Sequence, residues 1–341
     1  MKKIVGIAAV AAMLASSVFA ADVAAKVNLG GSLFNYSANT KKVQALAIDE
    51  GGQGWNPSFQ MSISGDQAGA SMKFYDVGAT DAVKNVNYNI WFKPFDVLTV
   101  NVGNWSTNLN QESITYSKTA SGIDSNGIAL SLAVEGFSAD VFFAPGWSSA
   151  NFGWNVWEDG YGSCNSWFEK ADGSDAVVAD TYFKLQYAAD FGTINGMLYA
   201  KSTFKDLTFG AGYKNTFSGV NAFVNVLGYY NNDKFQKVRV EPFASGSVDA
   251  FGWALWVPVD IPTVENSKVS VGAIAKLTYA IDGVTPYIQI SDDNFNTSAF
   301  AMEVKVGCTG NLGAMSWDAA IDAYIQEKFK LDVPVTFTVA F

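Results

Sequence analysis

From about residue 24 to its end the chain repeats one pattern: apolar side chains at every second position for roughly ten residues, then a short or a long polar connection. Side chains of an extended strand alternate between two faces, so each such stretch has one apolar face and one free to be polar. Tyr88, Ile90 and Phe92 alternate with Asn87, Asn89 and Trp91. Ile128, Leu130, Leu132 and Val134 alternate with Ala129, Ser131 and Ala133, and Val304 and Val306 with Glu303 and Lys305. The final stretch sets Val333, Val335, Phe337, Val339 and Phe341 against Pro334, Thr336, Thr338 and Ala340. Short turns rich in Gly, Asp, Asn, Ser and Pro, such as Ser64-Gly65-Asp66-Gln67, Glu135-Gly136 and Ile281-Asp282-Gly283, take turns with connections that are mostly longer and more polar. Nine loops and eight turns divide the chain into about eighteen antiparallel strands, with sixteen the nearest alternative, and an even number brings both termini to one side.

The first twenty residues predict export. Lys2 and Lys3 precede an apolar run from Ile4 to Leu14 and the small-residue site Val18-Phe19-Ala20, the pattern of a cleaved signal peptide, which leaves residues 21–341 as the mature chain. No Cys follows that site, so no lipid anchor is expected. Beyond it no run approaches the roughly 18 apolar residues of a spanning helix, so any membrane span is made of strands. Charged residues are 16% of the chain, against about 25% in ordinary soluble domains, while aromatics reach 14%. Cleavage removes two lysines and no acid, taking the formal charge from −10 to −12, an acidic balance that argues against nucleic acid as a partner. No linker, charge block or low-complexity stretch divides the mature chain, which reads as one domain.

Aromatic residues on the apolar face gather beside the short turns: Phe92, Phe137, Tyr187, Tyr213, Phe251, Tyr279 and Phe341. A soluble sandwich or solenoid shares the alternation but has no reason to pair alternating loop lengths with an aromatic row at one end. The expected fold is all-β, a transmembrane antiparallel barrel with short turns on one side and long loops on the other. Sixteen to eighteen strands enclose more space than wall side chains fill, so the interior is a water-filled bore. The face opposite the apolar one then holds Lys73, Lys184, Lys214, Lys237, Arg239, Lys268, Lys276 and Lys305 among bases, and Glu135, Asp140, Glu241, Glu303, Asp318 and Asp322 among acids. These form either a solvated wall of mutual ion pairs or a selectivity track. Lys237, Arg239, Lys268 and Lys276 beside the small Gly252 and Ala254 favour anions mildly, against an opposing acidic field from loop residues such as Asp49, Glu50, Glu158 and Asp159. Each side of a strand is expected to keep its role from end to end.

The chain has no His, which removes His-based triads and His–metal sites; no catalytic residue, metal site or cofactor is expected. Gly51-Gly52-Gln53-Gly54 lacks the strand, helix and Lys of a phosphate loop. Between about residues 145 and 175 lie Trp147, Trp154, Trp157, Tyr161 and Trp167, four of the ten Trp, which pack as a cap or offer faces to sugar rings. Cys164 belongs to this loop and Cys308 to the apolar face near the opposite turns, so a hydrocarbon thickness of about 25 Å keeps them from pairing.

With its export signal, its closing strand and its loop rhythm, the mature chain resembles the bacterial outer-membrane β-barrel porins. The resemblance implies the outer membrane of a Gram-negative-type bacterium, contact with outer-membrane lipid, a homotrimer, and a terminal Phe341 read by the barrel-assembly machinery. It also sets the third outer loop, about Asn104 to Asn126 with Glu112 and Asp124, in the place of the porins' constriction loop; the residues alone allow a mobile surface loop equally. The expected function is passive diffusion of small hydrophilic solutes. The alternatives are a channel selective for a saccharide or small anion, and a surface adhesin or ligand-binding barrel with a plugged lumen.

Overall fold

The computed structural model describes residues 22–47, 58–74, 86–115, 121–144, 180–201, 206–231, 234–265, 267–292, 295, 302–325 and 329–341. The first strand, β1 (Asp22–Ser37), is long enough to take two partners along one edge: β2 (Lys42–Ala47) beside its loop end and β3 (Ser58–Ser64) beside its turn end. Antiparallel neighbours follow in chain order as β4 (Ala68–Phe74), β5 (Val86–Phe95), β6 (Leu98–Thr107), β7 (Ile123–Val134), β8 (Phe137–Ala144), β9 (Asp180–Ala189), β10 (Gly192–Lys201), β11 (Asp206–Phe217), β12 (Val220–Asn231) and β13 (Lys234–Val248). Both β14 (Phe251–Trp256) and β15 (Val259–Pro262) pair with β13. On their far side β16 (Ser270–Val271) pairs with β15 and β17 (Ala273–Tyr279) with β14, so each couple is one interrupted strand. The circuit ends with β18 (Val284–Asp292), β19 (Met302–Leu312), β20 (Met315–Ile325) and β21 (Lys330–Ala340), and β21 pairs back onto β1. The result is a closed antiparallel barrel of 18 strands.

Closure reaches the last residue. Ala25 N–H donates to the Phe341 carbonyl at 3.1 Å and Phe341 N–H to the Ala25 carbonyl at 2.8 Å, so no ladder edge is left open at the seam. The period-two pattern explains the wall. Ile90, Leu130, Leu185, Phe209, Leu277 and Ile321 point outward and remain exposed, while the residues between them face the interior. Phe92, Phe137, Tyr187, Phe251, Tyr279 and Phe341 are exposed at the turn end. Such a belt is unfavourable in water and matches hydrocarbon flanked by an interfacial aromatic row.

Strict sidedness fails at bulges. The β1–β21 register shifts between Ser32 and Asn35, and both residues end up buried, at 2% and 6% exposure, where unbroken alternation would put one of them outside. One extra residue in a strand reverses the parity beyond it, which is the physical reason for the correction. Further shifts lie at Phe92/Phe95 and Tyr229/Tyr230. The first outer connection also differs from a plain polar loop, because its Lys42–Ala47 stretch extends the sheet as β2.

The inner loop and the charged bore

The connection between β6 and β7 turns inward. Pairing of these strands continues to Thr107↔Ile123, so the loop begins only at Asn108. Leu109 is buried among Ile123, Ala129, Phe142, Tyr182, Met197 and Leu227, which are inward residues of β7 to β12. Ile114 packs with Phe223, Phe243, Trp256 and Ile274 from β12, β13, β14 and β17. One side of the bore is thus a dry packed layer, with Trp105 stacked on Phe142 at 5.3 Å and Phe223 on Phe243 at 4.7 Å. Apolar residues at the inner parity of successive strands were the signal for a covering loop, and alternation alone does not distinguish them from ordinary bore lining.

Asn110 holds the loop at mid-height. Its side-chain amide donates to Asn225 Oδ1 at 3.1 Å, its Oδ1 accepts from Asn195 at 2.9 Å, and its carbonyl accepts from Asn225 Nδ2 at 2.9 Å. The seat exists because β11 carries glycine where the loop arrives. A Cβ on Gly212 would lie 2.4 Å from Asn195 Oδ1, 2.5 Å from Asn110 Nδ2 and 2.6 Å from Asn225 Oδ1; one on Gly210 would lie 2.5 Å from Leu227. Beyond the seat, Glu112 pairs with Lys214 at 2.7 Å, and the Tyr182 hydroxyl donates to the Ser121 carbonyl at 3.1 Å. The ion pair is more than a third exposed and contributes at most about 1 kcal/mol. The amide contacts are buried and contribute about 1 kcal/mol each, with a larger cost if one partner is left unsatisfied.

The remaining charges of the bore come mostly in pairs. Arg239 Nε meets the fully buried Glu241 at 2.8 Å and its Nη1 reaches Asp260 at 3.6 Å, while Lys237 meets Asp260 at 2.9 Å. Glu241 also accepts from Asn225 at 3.2 Å, joining this array to the Asn110 seat. Lys305 lies 2.9 Å from Asp322 and 3.6 Å from Glu303. Lys276 stands 4.5 Å from the centre of the Tyr287 ring, and the Tyr287 hydroxyl donates to Asp318 at 2.9 Å. Lys184 is directly across the ladder from Asp140, and Lys73 is on the inner parity of β4.

Three sequence-derived assignments are corrected. Lys268 lies in the exposed connection between β15 and β16, because the strand breaks after Pro262. Glu135 occupies a left-handed turn position, φ 40°, at the end of β7. Asp124 belongs to β7 on the parity of Leu130 and Leu132, so it faces outward at the loop end, where Asn104 donates to it at 3.0 Å. Asp260 was missed, since the break at Val257-Pro258 reads as the start of a loop. With Lys237 and Arg239 paired and Lys268 outside, the basic excess behind the expected anion preference is gone. Trp147, Trp154, Trp157, Tyr161, Trp167 and Cys164, like the signal segment, lie outside the described residues; Cys308 is a free thiol on the outward parity of β19.

No protein-family model and no curated protein matches the chain. Solved structures do. The crystal structure of OccAB4 from Acinetobacter baumannii is similar with a TM-score of 0.57 at 10% identity, over 94% of this chain and 98% of that one. OpdQ from Pseudomonas aeruginosa gives 0.57 at 8% identity, over 94% and 97%. The outer membrane protein opdK from Pseudomonas aeruginosa gives 0.55 at 10% identity, over 94% and 99%. At these identities the likeness is one of fold, the closed porin-type barrel.

Proposed function

We propose that the protein is an outer-membrane channel through which small hydrophilic solutes diffuse passively, with the bore narrowed at mid-height by the loop seated at Asn110. The observation that carries this reading is the combination of a closed 18-strand barrel, apolar outside and charged inside, with an inner loop whose described residues pack against one side. Among the described residues, Leu109 and Ile114 of the loop pack on inward side chains of β7 to β17, with Trp105 of β6 at the margin, and the polar inner faces of β1, β3 to β5 and β18 to β21 stand across from them. A solute crosses there without a cofactor or an energy source, filtered by width and by charge. The same reading has residues 1–20 removed on export, the terminal Phe341 strand recognised by the assembly machinery, and the barrel assembled as a trimer.

Liposome swelling tests it. Proteoliposomes carrying the refolded full-length chain are expected to swell in small sugars at rates that fall steeply with sugar size. Folded barrels that give no swelling above empty liposomes would remove the reading.

A further inference from the structure

Below the charged cluster of β18 to β21, toward the turn end, the inner wall contains a recess of about 490 Å³. Its floor is two rows of directly opposed side chains. Thr285, Thr309, Asp318 and Thr336 form one row across four successive strands. Asn311, Ser316 and Thr338 form the next, continued by Asn28 of β1, whose Oδ1 accepts from Thr338 at 2.7 Å. Strands lie roughly 4.8 Å apart, a pitch at which one sugar ring meets hydroxyls of two neighbouring strands.

Tyr287, two residues along β18 from Thr285, reaches the recess through Asp318. A Cβ on its cross-strand neighbour Gly307 would come within 2.7 Å of the Tyr287 hydroxyl, so glycine is what lets the ring lie across the wall and reach Asp318. That contact orients the carboxylate. The Lys276 ammonium on the Tyr287 ring offsets its charge. The recess therefore offers many donors and acceptors, one oriented carboxylate and little net charge, and its volume falls in the range of small-molecule sites.

We propose that this recess is a subsite for a neutral polyhydroxylated solute of the saccharide class, a reading that rests on the channel function above and names the solute it favours. Asp318 accepts hydrogen bonds from two neighbouring hydroxyls of the sugar, and the Thr and Ser hydroxyls of the two rows serve the rest. An inorganic cation finds one carboxylate already engaged by Tyr287, and an anion finds no free cation in the recess.

The test is planar-bilayer recording of the full-length protein with maltose as probe. Maltose added on the turn side is expected to reduce the current saturably, more strongly than from the loop side, and to keep doing so when the salt is raised. Asp318→Asn is expected to raise the half-blocking concentration about tenfold, the size of one charge-assisted hydrogen bond, and Thr336→Val about threefold. Thr99→Val, an inner hydroxyl on β6 away from the recess, is expected to leave it unchanged. A conducting channel indifferent to maltose from both sides, or block unaltered in both Asp318→Asn and Thr336→Val, would overturn the subsite and leave the channel standing. Absence of conductance in the wild-type protein would remove both.

Discussion

At the scale of single residues, the position that matters most to the bore has no side chain. Gly212 leaves a gap that three asparagines fill, and even one methyl group there would overlap Asn110, Asn195 and Asn225 together. Gly212→Ala is expected to fold, since glycine in mid-strand is conformationally less favourable than alanine, but to unseat the loop. The measurable result is higher open-channel current noise and a less sharp size limit in swelling assays; unchanged noise would mean the seat does not hold the loop. The ion pairs differ in weight. Arg239→Met leaves Glu241 buried without its partner and is expected to destabilise the barrel by about 3–5 kcal/mol. Lys214→Met breaks a pair that is 40% and 36% exposed and is expected to cost less than about 1 kcal/mol. Urea unfolding in lipid vesicles, followed by Trp fluorescence, compares the two directly.

At the scale of elements, the hairpin of β7 and β8 tests sidedness. In a background with Cys164→Ser and Cys308→Ser, Asp140→Cys is expected to react with a membrane-impermeant thiol reagent and lower the current. Leu130→Cys, one strand away on the opposite parity, is expected to stay unmodified in lipid. Much of this arrangement was legible in the sequence, because a barrel wall that is apolar outside and polar inside alternates residue by residue, and turn residues mark where one strand ends. The inner loop was not. Phe142, Tyr182, Phe223, Phe243 and Trp256 sit on the wet parity of neighbouring strands, and only their contacts show that Leu109 and Ile114 cover them. Asp124 was misplaced because the β6–β7 ladder runs further than its polar residues suggest, and the rule of constant sides fails at Asn35 because a bulge leaves no mark in an alternation pattern.

At the scale of the molecule, paired wall charges leave the bore with little field of its own. The sign of any ion preference then follows the acidic excess of the chain, −10 in formal charge, which attracts cations to the mouths within a Debye length of about 8 Å in physiological salt. Reversal potentials in a salt gradient are expected to show weak cation preference that fades at high salt; a firm anion preference would contradict the pairing. The central claim is a closed barrel that keeps a continuous water path beside its inner loop, and single-channel recording of the refolded protein meets it most directly. It predicts discrete, ohmic conductance steps from every preparation that migrates as a folded barrel. Folded barrels that insert into the bilayer and carry no current would contradict it.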